Sequence, residues 1–162
     1  VNCAGVFPQA LIEDITDEDW SRVMRINLDG AFYACRAAAP YLKKSGKNGR
    51  IINLSSQAAL NGTAHGVHYG ASKAALLGLT YCLAKELGPD GITVNAILPG
   101  RIDTEMLAYA TPERRAQWLQ STPLGRFGDT ADIAELAVFL ASDKGGYITG
   151  AKINVNGGLS TG

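Results

Sequence analysis

The sequence predicts an α/β fold built on a parallel sheet. Apolar runs of strand length, Arg50–Leu54 and residues 92–97, alternate with helix-periodic stretches of ten or more residues, a pattern that requires right-handed β–α–β crossovers. The runs are almost continuously apolar, as in strands covered on both faces. Turn residues punctuate the transitions, with Gly46 and Gly49, Gly88-Pro89 and Pro99-Gly100 at the breaks.

Each element has a local reason. Val1-Asn2-Cys3-Ala4-Gly5 reads as the tail of a buried strand entering a loop. Thr16 suits an N-cap with Asp17, Glu18 and Asp19 in the first turn, and Trp20, Val23, Met24, Leu28, Ala31 and Phe32 continue at helical spacing, predicting one long helix over 17–44. Residues 45–49 turn the chain into the strand Arg50–Leu54, and a Gly-dotted loop follows. Val67–Leu87 is the clearest helix, with Ala75, Leu79, Leu83 and Leu87 on one stripe and Gly88-Pro89 as its stop. Residues 92–97 form the next strand, closed by Pro99-Gly100, and Thr111-Pro112 caps a short helix within a mixed, mobile segment over 101–127. Thr130 caps a helix with Ile133, Ala134, Ala137 and Leu140 on one face, and residues 151–158 alternate as a last strand ending at a Gly pair. Counting the tail at Val1, four strands are expected, and residues 1–162 read as a single partial domain without repeat or linker.

Composition narrows the function. Fifteen Lys and Arg balance fifteen Asp and Glu, so no basic surplus draws in nucleic acid or anionic lipid. The longest nearly apolar stretch, residues 74–84, is too short to span a bilayer. Cys3, Cys35 and Cys82 are odd in number, widely spaced and without a C-x-x-C pair, which argues against a disulfide framework or a metal site and fits a reducing, cytoplasmic compartment.

The sharpest chemical feature is Tyr69-Gly70-Ala71-Ser72-Lys73. A four-residue separation on a helix puts phenol and ammonium on one face. The ammonium is expected to lower a phenol pKa ordinarily near 10, making Tyr69 a usable acid or base. Ser55-Ser56 closes a buried strand, with Ser56 thirteen residues before Tyr69, where parallel strands face a ligand crevice. Asn27, Asp29 and Gly30 cluster as poor helix formers in mid-helix. Gly70-x-Ser72-x-Ala74 nearly spells a hydrolase nucleophile elbow but lies inside the helical pattern. His65 and His68 read as solvated loop residues beside the site, and Met24, Met106, Trp20, Phe32, Tyr33 and Trp118 as core or interface.

Taken together, these segments resemble the short-chain dehydrogenase/reductase family of the classical type. The resemblance rests on Asn2-x-Ala4-Gly5, Arg25-Ile26-Asn27-Leu28-Asp29-Gly30, Ile52-Asn53-Leu54-Ser55-Ser56 and Tyr69-x-x-x-Lys73. It continues through Val94-Asn95-Ala96-Ile97-x-Pro99-Gly100, Ile102-x-Thr104-x-Met106, Tyr147-Ile148-Thr149-Gly150 and Asn156-Gly157-Gly158. It implies the C-terminal part of a Rossmann-like doubly wound parallel sheet, with the N-terminal Gly-rich half missing. It also implies an NAD- or NADP-dependent interconversion of a secondary alcohol and a ketone. By resemblance Tyr69 exchanges the proton with the substrate oxygen and Ser56 stabilises that oxygen. Lys73 holds the nicotinamide ribose, and Asn27 bends its helix to hold a relay water. Asn2, Ala4 and Gly5 line the adenosine side of the cofactor, while Pro99, Gly100, Ile102 and Thr104 border the carboxamide. Cys3 departs from a second Asn usual in the family.

The nearest subgroup resembles the 3-oxoacyl-(acyl-carrier-protein) reductases and small sugar or alcohol dehydrogenases. Lys47 matches a basic position of that subgroup, and Asp90 stands where the residue is often basic. Family members assemble as homodimers or homotetramers, which the resemblance extends to the full-length protein through the helices over 17–44 and 67–87 and through the last helix and strand. No T-G-x-x-x-G-x-G or G-x-G-x-x-G fingerprint occurs in the chain, so the alternative is a catalytically silent fragment or interaction module that lacks dinucleotide binding.

Overall fold

The computed structural model describes residues 1–46 and 48–161; Lys47 lies outside them. In chain order the elements are α1 (Asp17–Met24), a π-helical turn (Arg25–Asp29), α2 (Gly30–Lys44), β1 (Arg50–Leu54), α3 (Ala58–Asn61) and α4 (Val67–Leu87). They continue with β2 (Thr93–Pro99), α5 (Pro112–Gln120), α6 (Thr130–Ala141) and β3 (Lys152–Val155). The strands form a parallel sheet of order β1-β2-β3, with Ile52 opposite Asn95 and Ile97 opposite Ile153. The expected fourth strand is reduced to one parallel bridge on the outer edge of β1. Asn2 N–H donates to Ile52 O at 2.8 Å, and Asn2 O accepts from Leu54 N–H at 2.9 Å.

Side-chain alternation on the strands sorts the helices into two layers. Ile51 and Val94 pack with Cys35 of α2 and with Ala84 and Leu87 of α4, while Ala96 and Leu98 meet Leu77 of α4. Ile52, Leu54 and Ile97 point to the opposite face, against Leu140 of α6. Each Ile, Leu or Val side chain buried this fully contributes roughly 1.5–3 kcal/mol. The sheet is thus covered on both sides, as its continuous apolar runs predict.

Four local expectations change. The long helix over 17–44 keeps its start, where Thr16 and Asp19 form a capping box, but it is broken by the π turn centred on Asn27. Helix α4 ends at Leu87, before Gly88-Pro89 as expected; a 3-10 turn, Gly88–Asp90, follows it and closes at Gly91, whose φ of 75° is the left-handed conformation that favours glycine. The buried stripe of α4 is Ser72, Leu76, Leu77, Thr80, Ala84 and Leu87, leaving Ala75, Leu79 and Leu83 half-buried. The cap of α6 is Asp129, which accepts from Ala131 N–H at 2.9 Å and forms a capping box with Asp132, so Thr130 is the first helical residue. The loop after β1 also holds the short helix α3, which has no long apolar period to announce it.

Candidate active site

The site lies at the carboxyl ends of β1 and β2, the crevice side of an open parallel sheet. Strand β1 delivers Ser55 and Ser56, the first two turns of α4 deliver Tyr69 and Lys73, and β2 ends in Pro99 and Gly100. Ser55 is committed to structure, its Oγ donating to Lys73 O at 2.7 Å. Ser56 Oγ accepts from Ala58 N–H at 3.1 Å, and the pull of Ser56 on Tyr69 is toward a lower phenol pKa. Ser55 lines the cavity beside Tyr69, and Ser56 does not.

Lys73 is buried and donates from Nζ to Leu54 O at 2.8 Å. Burial pulls its pKa down from 10.5 to about 8, with Cys3 acting weakly in the other direction. Its ammonium lies 5.8 Å from the centre of the Tyr69 ring, so phenol and amine share one helix face as the spacing requires. The expected lowering of the Tyr69 pKa is absent. Burial pushes that phenol up, opposed by Ser56 and assisted by Tyr109. The lysine is engaged with a backbone carbonyl, and desolvation of the phenolate dominates.

Asn27 has 1% of its surface exposed. Its Oδ1 accepts from Val6 N–H at 2.8 Å, and its Nδ2 donates to Val6 O at 3.0 Å and to Ser72 Oγ at 3.0 Å. It therefore ties the π turn to the loop after Gly5 and to α4. Ser72 also donates to Tyr69 O at 2.7 Å and is wholly buried in the helix, which removes the nucleophile-elbow reading. His68 is buried, with Nδ1 accepting from Tyr69 N–H, and is not the solvated residue expected. His65 is exposed at a φ of 58°. Neither histidine lines the two cavities at Tyr69.

Tyr69 stands on the shared wall of those cavities. The first, about 580 Å³, is lined by Gly5, Tyr69, Lys73, Pro99, Gly100, Ile102 and Thr104, together with Cys3 and an apolar flank from α6. These residues could hold the ribose and flat ring of a nucleotide. Gly5 suits such an approach, because a Cβ there would stand 3.3 Å from Lys73 Nζ and 3.4 Å from Asn27 Oδ1. Two residues expected in this lining are not in it. Asn2 donates its amide to Asn53 Oδ1 at 2.8 Å and to Cys35 Sγ at 3.3 Å, away from the cavity, and Ala4 is absent from the wall. Strand alternation explains the exchange, since it turns Cys3 inward where Asn2 turns back to the sheet.

The second cavity, about 340 Å³, lies on the other side of Tyr69 and is walled by Phe7, Tyr109 and Trp118 among others. Sequence reasoning passed over Phe7 and Tyr109 and assigned Trp118 and Met106 to core or interface. Phe7 stacks 4.4 Å from the Tyr69 ring, and Met106 lines both cavities. These residues carry no motif, so no sequence signal marks them. Among the described residues no group of three or more His, Cys, Asp or Glu side chains could hold a metal ion. No helix there is long and apolar enough to cross a membrane.

A three-stranded parallel sheet, helices on both faces and a polar cluster at the carboxyl ends of its strands define a doubly wound, Rossmann-like α/β protein. A family model described as enoyl-(acyl carrier protein) reductase matches residues 1–160, and the chain belongs to the short-chain dehydrogenase/reductase family. It is 42% identical over 159 residues to a (3R)-3-hydroxyacyl-CoA dehydrogenase of Rattus norvegicus, covering 98% of this chain and 61% of that protein. It is 46% identical over 161 residues to an L-rhamnose-1-dehydrogenase of Scheffersomyces stipitis, covering 98% and 62%. Among solved structures, a 3-oxoacyl-[acyl-carrier protein] reductase from Brucella melitensis superposes with a TM-score of 0.93 at 37% identity, covering 99% of this chain and 62% of that one. A candidate 2-deoxy-D-gluconate 3-dehydrogenase from Agrobacterium tumefaciens with bound NADP gives 0.93 at 38% identity, covering 98% and 65%. The chain thus spans less than two thirds of the length of these relatives.

Proposed function

We propose that the protein is an NAD(P)(H)-dependent oxidoreductase that interconverts a secondary alcohol and a ketone. The observation that carries this is the Tyr69 phenol on the wall common to a cavity lined by Lys73 and a second cavity suited to a small molecule. A bound nicotinamide supplies or takes up the hydride. Burial keeps the phenol protonated, so Tyr69 is poised to donate its proton to a carbonyl oxygen as that oxygen gains charge. Ser56 Oγ hydrogen-bonds the same oxygen and stabilises it. Lys73 holds the nicotinamide ribose. Asn27 keeps the π turn and the Gly5 loop in register and supports the relay water, while Gly5, Pro99, Gly100, Ile102 and Thr104 border the cofactor. A cytoplasmic setting accords with three free cysteines, and assembly as a dimer or tetramer accords with exposed Phe32, Tyr33, Val138 and Tyr147 on the outer helices and last turn.

Position 90, often basic in the 3-oxoacyl reductase subgroup, is an aspartate ion-paired to Lys43 at 2.9 Å. That weakens the acyl-carrier branch and leaves sugars, alcohols and thioesters as the panel to try. NAD(P)-linked turnover with acetoacetyl thioesters, sugars and secondary alcohols tests the reading. Tyr69→Phe is expected to lose at least about 100-fold in kcat, as for removal of a general acid, and a variant with full rate overturns the mechanism. The second reading, a silent fragment, is favoured by the lack of a Gly-rich phosphate loop in these 162 residues; micromolar binding of NADH or NADPH to the chain rejects it.

A further inference from the structure

The 340 Å³ cavity has a directional wall. The Tyr69 ring stacks on Phe7, Phe7 meets Tyr109 edge-on at 6.3 Å, and Tyr109 meets Trp118 edge-on at 6.1 Å. At the far end of this aromatic row the Arg114 guanidinium lies 5.7 Å from the Tyr109 ring and 5.3 Å from the Trp118 ring. Arg101 stands behind it, 5.3 Å from the same Trp118 ring, held by Trp118 O and Ser121 Oγ, each at 2.8 Å.

The charges nearby are arranged in two ways. Arg115 and Arg126 are each ion-paired, to Asp103 at 2.8 Å and to Asp132 at 2.7 Å. Neither Arg101 nor Arg114 has a carboxylate partner among the described residues, and no Asp or Glu is among the described residues lining this cavity. Two guanidiniums without a carboxylate partner at one end of an aromatic-walled cleft form a receptor for an oxyanion. The amides of Gln9 and Gln57 on the same lining offer donors and acceptors to hydroxyl groups.

We propose that the substrate is a compact polyhydroxy carboxylate, a sugar acid, whose carboxylate is read by Arg114 while its reacting carbon lies beside Tyr69. This deepens the oxidoreductase reading and rests on it for the position of the reacting carbon. Calorimetric titration of the protein, with NAD⁺ or NADP⁺ present, compares D-gluconate with D-glucitol, which differs in the carboxylate. Gluconate is expected to bind roughly 10–100-fold more tightly, the range of a charge-assisted hydrogen-bonded pair. Arg114→Gln, which keeps much of the stem, abolishes the preference, Arg114→Lys restores part of it, and Arg115→Ala retains it. Equal affinity for the two ligands, no binding of gluconate, or a preference that survives Arg114→Gln overturns the inference. Turnover separates the two levels: NAD(P)-linked oxidation of neutral alcohols but not of gluconate overturns the inference alone. A gluconate preference without turnover of any alcohol or ketone overturns the oxidoreductase reading and leaves the binding site standing.

Discussion

Lys73→Met is expected to stabilise the fold while removing its proposed chemistry. Lys73 is 5% exposed and its pKa falls from 10.5 to about 8 on folding. At about 1.36 kcal/mol per pKa unit, holding the charged amine in this position costs about 3 kcal/mol at neutral pH. Methionine has a similar stem and no charge, and its loss is the charge-assisted bond to Leu54 O, worth about 2 kcal/mol. The variant should therefore be about 1 kcal/mol more stable at pH 7. An amine whose folded pKa is depressed binds fewer protons folded than unfolded, so wild-type stability rises from pH 8 toward 10.5 and the penalty is complete below 8. Between pH 7 and pH 10 the gap between variant and wild type should shift by about 2 kcal/mol in favour of wild type. Urea denaturation at a series of pH values up to 10 measures it, and the difference between the two proteins cancels other titrating groups. Burial raises the Tyr69 pKa, so its loss of stability sets in as the unfolded phenol ionises near pH 10, at the edge of the window, and it cancels in the difference. A methionine variant less stable than wild type at pH 7, or a gap that does not change with pH, refutes the reasoning.

Asn27→Ala removes three hydrogen bonds, to Val6 N–H, Val6 O and Ser72 Oγ. At about 1 kcal/mol each it should destabilise by about 3 kcal/mol in chemical denaturation, and a change under 1 kcal/mol would show that these bonds do not hold the π turn. Gly100→Ala would place a Cβ 2.6 Å from Asn156 Cα and 3.0 Å from Asn156 O. Because the obstacle is largely backbone, the ends of β2 and β3 must part, and thermal melting should report a loss of about 1–3 kcal/mol; an unchanged midpoint contradicts that packing.

Much of the fold is legible in the sequence because its signals are local or periodic. Arg50–Leu54 reads as a doubly covered strand and is one, and the Thr16 and Thr111 caps sit where their side chains bond N–H groups one turn on. Helix α4 begins and ends where its pattern does, at Val67 and Leu87, and a 3-10 turn carries the chain on to Gly91 because Gly88 adopts an ordinary helical conformation and only Gly91 takes the left-handed one. The buried face of that helix is not legible in the same way. Residues 74–84 are apolar nearly all round, so periodicity does not choose a face, and contact with Leu98 and Val94 does.

The chemistry-bearing residues divide along the same line. Tyr69, Lys73, Ser56 and the disturbance at Asn27 are visible in sequence because each depends on spacing within a helix or on the end of a strand. Which way the Tyr69 pKa moves, which side chain of Asn2 and Cys3 faces the cavity, and the row from Phe7 through Tyr109 to Trp118 and Arg114 are decided only by tertiary structure. Desolvation, strand-face alternation and the meeting of segments about a hundred residues apart are properties of the packed chain, and no local pattern encodes them.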